Sequence, residues 1–152
     1  MKKLITAIIG VILITLVINC NNKPMENKFE YSGTLSAPYE YPIEVIDGSL
    51  ISENYEHYFI DWGTINPGWG HSKKTVVAGP RLKKVPHQLN ITWRSFEERK
   101  WYTANFKLPK EKIIALFKEG FLEEFKGKSR KRNYNTFVEG LAPLGNIVVW
   151  LN

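Results

Sequence analysis

The sequence predicts an α+β domain, mostly β: an antiparallel sheet or sandwich with one packed helix in the C-terminal half. Three observations carry this reading. Apolar and polar residues alternate through several short runs. An amphipathic stretch opens at Pro109 and repeats at helical spacing. Connections between the runs are mostly local, which favours antiparallel neighbours and leaves one apolar sheet face that needs a cover.

Before any of these elements, two cations, Lys2 and Lys3, precede the apolar run Leu4–Ile18. A membrane-spanning helix needs about 20 apolar residues, whereas a secretory signal core has roughly 7–15. The run fits a signal. After Ala7 the next alanine is Ala37, so no A-x-A-like cleavage site is evident, and Cys20, the single cysteine, becomes the natural cut point. This arrangement resembles a bacterial lipoprotein precursor, in which a diacylglyceryl group on the cysteine thiol anchors the mature chain. Val17 and Asn19 depart from the Leu and small residue usual in such signals. An uncleaved anchor and a free exported thiol are the competing readings, and each still places the bulk outside the cytoplasm. The chain thus divides into a lipoprotein-type signal peptide (1–19), a tether (20–28) and a single β-rich domain (29–152). With Asn21 rather than Asp after the cysteine, the lipoprotein resemblance implies the outer membrane.

Along the domain, "FEYSGTL" and "YPIEVIDGSLI" read as strands, and Asp47-Gly48 between two apolar stretches is a two-residue hairpin signal. "YFIDW" (58–62) and "TVVAG" read as further strands around the loop "GTINPGWGHSKK". The clearest β signal is "LNITWRSFEERKWYTANFKL". Leu89, Ile91 and Trp93 share one parity, as do Tyr102, Ala104, Phe106 and Leu108 across the charged connection Glu97 to Arg99, giving a hairpin with one buried face. Pro109 suits a first helical position, and Ile113, Ile114, Phe117, Phe121 and Phe125 recur at helical spacing, with Gly120 weakening the run. "YNTFVEGL", a turn at 142–146 and "IVVWL" close the chain; the unbroken apolar character of the last predicts a strand covered on both faces.

Removing the signal takes away Lys2 and Lys3 and lowers the formal charge from +6 to +4. A basic, aromatic-rich chain invites a nucleic-acid reading, which export argues against. A lone cysteine excludes an internal disulfide framework, and His57, His71 and His87 show no familiar zinc spacing, so neither a metal nor another cofactor is expected. Glu44, Asp47 and Asp61 are candidate carboxylates for glycoside hydrolysis, though solvated strand positions explain them as well. No serine sits in G-x-S-x-G or S-x-x-K, leaving nucleophilic catalysis without a candidate.

Two segments remain as candidate contact sites. In "GWGHSKK", Trp69 stands beside His71, Lys73 and Lys74. Phosphate-loop spacing is absent, which leaves either a partner contact built on an exposed Trp69 or a tight turn with Trp69 folded onto a sheet edge. In "KGKSRKR", Lys126, Lys128, Arg130, Lys131 and Arg132 form a cationic patch without apolar pattern, read as a loop that is either solvated and partly balanced by Glu123 and Glu124 or able to face anionic headgroups.

Cys20, "YPIEVIDGSLI", the Gly68-Trp69-Gly70 turn, "LNITWRS", "FKLPKEKIIALF" and the closing strand together resemble the small bacterial lipoproteins of domain of unknown function 2931, over most of residues 29–151. The resemblance implies an envelope location and brings no catalytic residue. The expected function is a non-catalytic, lipid-anchored envelope protein that binds a partner in the periplasm or envelope. An immunity protein against a periplasm-directed lipase effector is the alternative, and an envelope hydrolase a third class.

Overall fold

The computed structural model describes residues 27–53, 56–60, 64–65, 67–71, 76–77 and 79–152. The strands are β1 (Lys28–Glu30), β2 (Ser32–Ser36), β3 (Ile43–Ile51), β4 (Glu56–Ile60), β5 (Thr64–Ile65), β6 (Val76–Val77), β7 (Leu82–Lys84), β8 (Gln88–Ser95), β9 (Lys100–Lys107), β10 (Phe121–Phe125), β11 (Lys128–Arg132), β12 (Thr136–Ala142) and β13 (Asn146–Leu151). Among the described residues one α-helix, α1 (Lys110–Glu119), accompanies them. The domain is α+β and mostly β, as the alternation predicts.

Two main sheets form. One runs β6-β4-β3-β8-β9, with β5 also paired to β3; the other runs β13-β12-β2. Among the described residues the pairings are antiparallel except β2 with β12, a parallel ladder matching Ser32 to Thr136 through Ser36 to Gly140. The predicted hairpin is β8–β9, in register from Gln88↔Lys107 to Ser95↔Lys100. Its parity holds on β8, where Leu89, Ile91 and Trp93 are buried between half-buried neighbours. Trp93 stacks on Tyr102, ring centroids 5.2 Å apart.

The helix covers the core with Ile113, Ile114 and Phe117. Phe117 meets Phe29 edge-on at 5.2 Å and Phe137 at 5.8 Å, joining β1, α1 and β12 in one aromatic cluster. Fully burying a side chain of this class stabilises by about 1.5–3 kcal/mol. At the start of α1, Lys110 is ion-paired to Glu53, which also faces Lys84 at 3.5 Å. This ties the helix to the end of β3.

Four expectations need correction. Asp47-Gly48 does not turn the chain: both lie inside β3, where the ladder with β8 shifts at a bulge between Val45 and Asp47. Eight residues of tertiary pairing outweigh the local turn preference, and the bulge absorbs the mismatch. The helical stripe stops short. Gly120 takes φ 68° and its amide closes on Leu116 O, so Phe121 and Phe125 belong to β10. A Cβ on Gly120 would fall 2.3 Å from Arg132 O, a place only glycine can fill. Lys126–Arg132 is no loop: β10 and β11 form a hairpin from Phe121↔Arg132 to Phe125↔Lys128. Lys126 (φ 51°) and Gly127 (φ 71°) make its two-residue turn, both with the positive φ of a type I′ connection. Finally, the closing strand β13 is an edge strand, with alternating rather than complete burial.

Candidate functional site

The candidate residues do not converge. Cys20, Lys73 and Lys74 lie outside the described residues, as does Asp61. Trp69 and His71 sit in a turn whose shape is set by Ser36 on β2. The buried Ser36 hydroxyl donates to Gly68 O (3.0 Å) and accepts from the Gly70 amide (2.9 Å), while the Gly68 amide donates to Ala37 O (3.0 Å). This presses Trp69 edge-on against Trp150, centroids 4.9 Å apart, over Gly140 of β12. Trp69 keeps 42% exposure but caps the outer face of the three-stranded sheet; His71 is exposed. The turn is explained by packing.

Among the described residues, no three His, Cys, Asp or Glu side chains gather as a metal site would require. Glu44 and Asp47 lie on β3, half-buried and exposed respectively, with nothing that sets them up as an acid–base pair.

The five cations Lys126, Lys128, Arg130, Lys131 and Arg132 are brought together. The β10–β11 hairpin pairs with neither main sheet and forms an arm rooted by Phe121 on Tyr134, centroids 4.8 Å apart. All five cations are exposed, as are Leu122 (73%) and Phe125 (52%). Lys126 lies 5.4 Å from the Phe125 ring, and Arg132 stands 3.8 Å from Glu123. Cross-strand partners share a face, so Phe125 and Lys128 project together, as do Leu122 and Lys131. The sequence revealed the charge but hid the arm, because Lys-Gly is a weaker turn signal than Asn-Gly or Asp-Gly.

A second feature escaped sequence reasoning altogether. The two main sheets approach where β2 runs beside β6 and part on the other side, between the edge strands β9 and β13. At one end this seam is closed. Glu98 accepts the Leu144 amide (3.1 and 3.3 Å), and Gly145 packs so tightly on Tyr102 that a Cβ would lie 2.8 Å from its ring. The neighbouring Tyr41 and Tyr102 hydroxyls and that amide lower the pKa of the Glu98 carboxyl, although the Tyr41 hydroxyl itself makes no hydrogen bond of normal geometry. Toward the other end the seam opens into a groove of about 470 Å³ between β13, α1 and the end of β9. Its contributors are scattered from residue 106 to 151, each readable in sequence only as core or strand.

Next along β12 from Phe137, which lines the groove, on the same face, is Glu139. It sits on β12 between Phe137 and Leu141 in the core-facing parity, paired with Leu35 on one side and Val149 on the other. It is fully buried, neither carboxyl oxygen has a hydrogen-bond partner, and desolvation raises its pKa well above the ordinary value despite nearby backbone amides.

Fold and site together define a β-rich α+β domain with an open seam, a cationic arm and no assembled catalytic constellation among the described residues. A family model described as "Protein of unknown function (DUF2931)" matches residues 19–152, and the chain belongs to that family. No curated protein and no solved structure matches it.

Proposed function

We propose that this chain is a non-catalytic binding module of the bacterial cell envelope, anchored by acyl chains on Cys20 at the outer membrane and facing the periplasm. The β10–β11 arm is its contact surface, directed at anionic headgroups of the bilayer. One observation carries this reading: five exposed cations share a free-standing hairpin with exposed Leu122 and Phe125, opposed locally only by Glu123 and Glu124. Near an anionic surface each cation contributes about 1 kcal/mol, and the two apolar side chains gain by leaving water at the headgroup boundary. The cationic, apolar N-terminal pattern, which resembles a lipoprotein signal ending at Cys20, supports the envelope assignment.

Two measurements test it. Intact mass and membrane fractionation of the expressed precursor beside Cys20→Ala should show an acylated, membrane-bound wild type and an unacylated variant; an unmodified thiol in the same fraction as the variant would remove the lipid anchor. For the arm, an environment-sensitive dye on Lys126→Cys is read in the full chain reconstituted into two vesicle types. Its emission should shift to the blue in equal parts phosphatidylcholine and phosphatidylglycerol, reversibly with salt, and not in phosphatidylcholine alone. Identical emission in both vesicles would exclude the arm as a headgroup contact. If that result came with protection against a co-expressed periplasm-directed lipase, the immunity reading would take its place.

A further inference from the structure

We infer that the seam groove is a binding site for one free fatty acid, its hydrocarbon chain laid between β13 and α1 and its carboxylate at Lys112. The inference depends neither on the arm nor on the anchor.

Size and chemistry carry it. Ligand sites of about 300–1,000 Å³ lined mainly by hydrocarbon, with few polar groups at chosen places, are the usual form of small-molecule pockets. This groove holds about 470 Å³, and of its lining side chains only Lys112 and Tyr134 bear polar atoms. A methylene occupies roughly the volume of a water molecule, about 30 Å³, so the space suits on the order of fifteen methylenes. That is one chain rather than the two of a bilayer phospholipid.

Charge selects the head. Lys112 is the one charged residue of the lining, is exposed, and makes no ion pair among the described residues. It stands on α1 one residue before Ile113 and four before Leu116, both of which line the groove, so a carboxylate at its ammonium leaves the chain over hydrocarbon.

Shape argues against the main competitor, a peptide strand added to an open edge. The seam is blind where Glu98 and Tyr102 meet Leu144 and Gly145, so no strand can run its full length. On the side of α1 and Phe137 a peptide's amides would face hydrocarbon without partners, leaving only the edge of β13 to pair with it.

The test uses the full chain in phosphatidylcholine nanodiscs and a diazirine analogue of palmitate, added below its micellar concentration and mapped by mass spectrometry after photolysis. Labelling should saturate, concentrate on peptides containing Leu116 and Val149, and be competed by dodecanoate. Lys112→Glu should weaken labelling several-fold while leaving a neutral diazirine alcohol unaffected, and Leu116→Trp should abolish both by filling the groove. Circular dichroism confirms that each variant is folded. Labelling that spreads evenly over the surface, fails to saturate or persists in folded Leu116→Trp would overturn the site. Equal loss of acid and alcohol in Lys112→Glu would remove the carboxylate assignment, and a cross-linked second copy of the chain at these peptides would show the groove to be a dimer contact instead.

Discussion

Glu139 is the residue where sequence pattern and physical chemistry disagree. Its parity in "TFVEGLA" places it with Phe137 and Leu141, on the side facing the other sheet, yet it carries a carboxyl. Ionising it in place would leave an unpaired charge among Leu35, Phe137 and Leu141, so burial favours the protonated carboxyl in the folded state. The sign of the linkage follows. The folded pKa lies above the unfolded value near 4.5, so between the two the folded state holds the extra proton. Stability is then greatest below that unfolded value and falls by about 1.4 kcal/mol per pH unit as pH rises toward the folded pKa. Glu139→Gln removes this dependence. Denaturant titrations should find the two proteins differing by a constant amount at acid pH, with the variant gaining relative stability as pH rises; parallel profiles to pH 8 would refute it. Close approach sets a second residue-scale prediction. A Cβ at Gly140 would lie 2.5 Å from the Trp150 ring and 3.1 Å from Trp69. Gly140→Ala should therefore cost about 1–3 kcal/mol as an overpacked site. The near-UV dichroism of the tryptophan pair should weaken with it, and an unchanged unfolding midpoint would mean the rings move aside freely.

At the level of elements, legibility tracked how much each segment's fate depended on distant partners. The β8–β9 hairpin was readable because both strands display one apolar parity and their turn is short. Asp47-Gly48 misled, because β3 gains a whole ladder against β8 by continuing through it. The helical stripe continued past α1 only by coincidence: Phe121 sits at the right spacing, but Gly120 turns the chain to let Arg132 O approach, a contact absent from local sequence. The arm that results is a two-stranded unit without a sheet partner, and isolated hairpins of this kind are marginal in water. Hydrogen exchange should therefore split the molecule. Amides of β10 and β11 should exchange through local opening with little protection, while those of β8 and β12 open only with global unfolding. Equal protection in arm and core would mean the arm is packed against something, in which case its cations are not the free surface proposed for them.

The whole molecule is held together by a pairing of opposite ends. β2 lies beside β12 in parallel register, 104 residues apart in sequence, so the three-stranded sheet cannot begin until the C-terminal strands have been made. The groove inherits the same logic, since β13 supplies one wall and β9 with α1 the other, and no local segment contains a recognisable part of it. That is why the candidate site was the least legible feature in the sequence: its residues are ordinary core residues until two sheet edges fail to meet. Closing the β2–β12 pair requires ordering a long loop before contacts reward it, and the entropy of that closure slows folding more than it lowers stability. Refolding from denaturant, followed by tryptophan fluorescence, should accordingly fall in the millisecond-to-second range of non-local β topologies rather than the microseconds of helical bundles. Thr34→Pro provides the internal control. Thr34 is buried in β2 against Val138, and proline there removes a ladder donor from a strand interior. The cost, about 3 kcal/mol or more by that principle, should appear mainly as faster unfolding if β2 docks after the transition state and as slower folding if its docking is the barrier. A variant that kept both rates would show that the parallel pair does not couple the two sheets, and the seam opposite would then not depend on their meeting at β2.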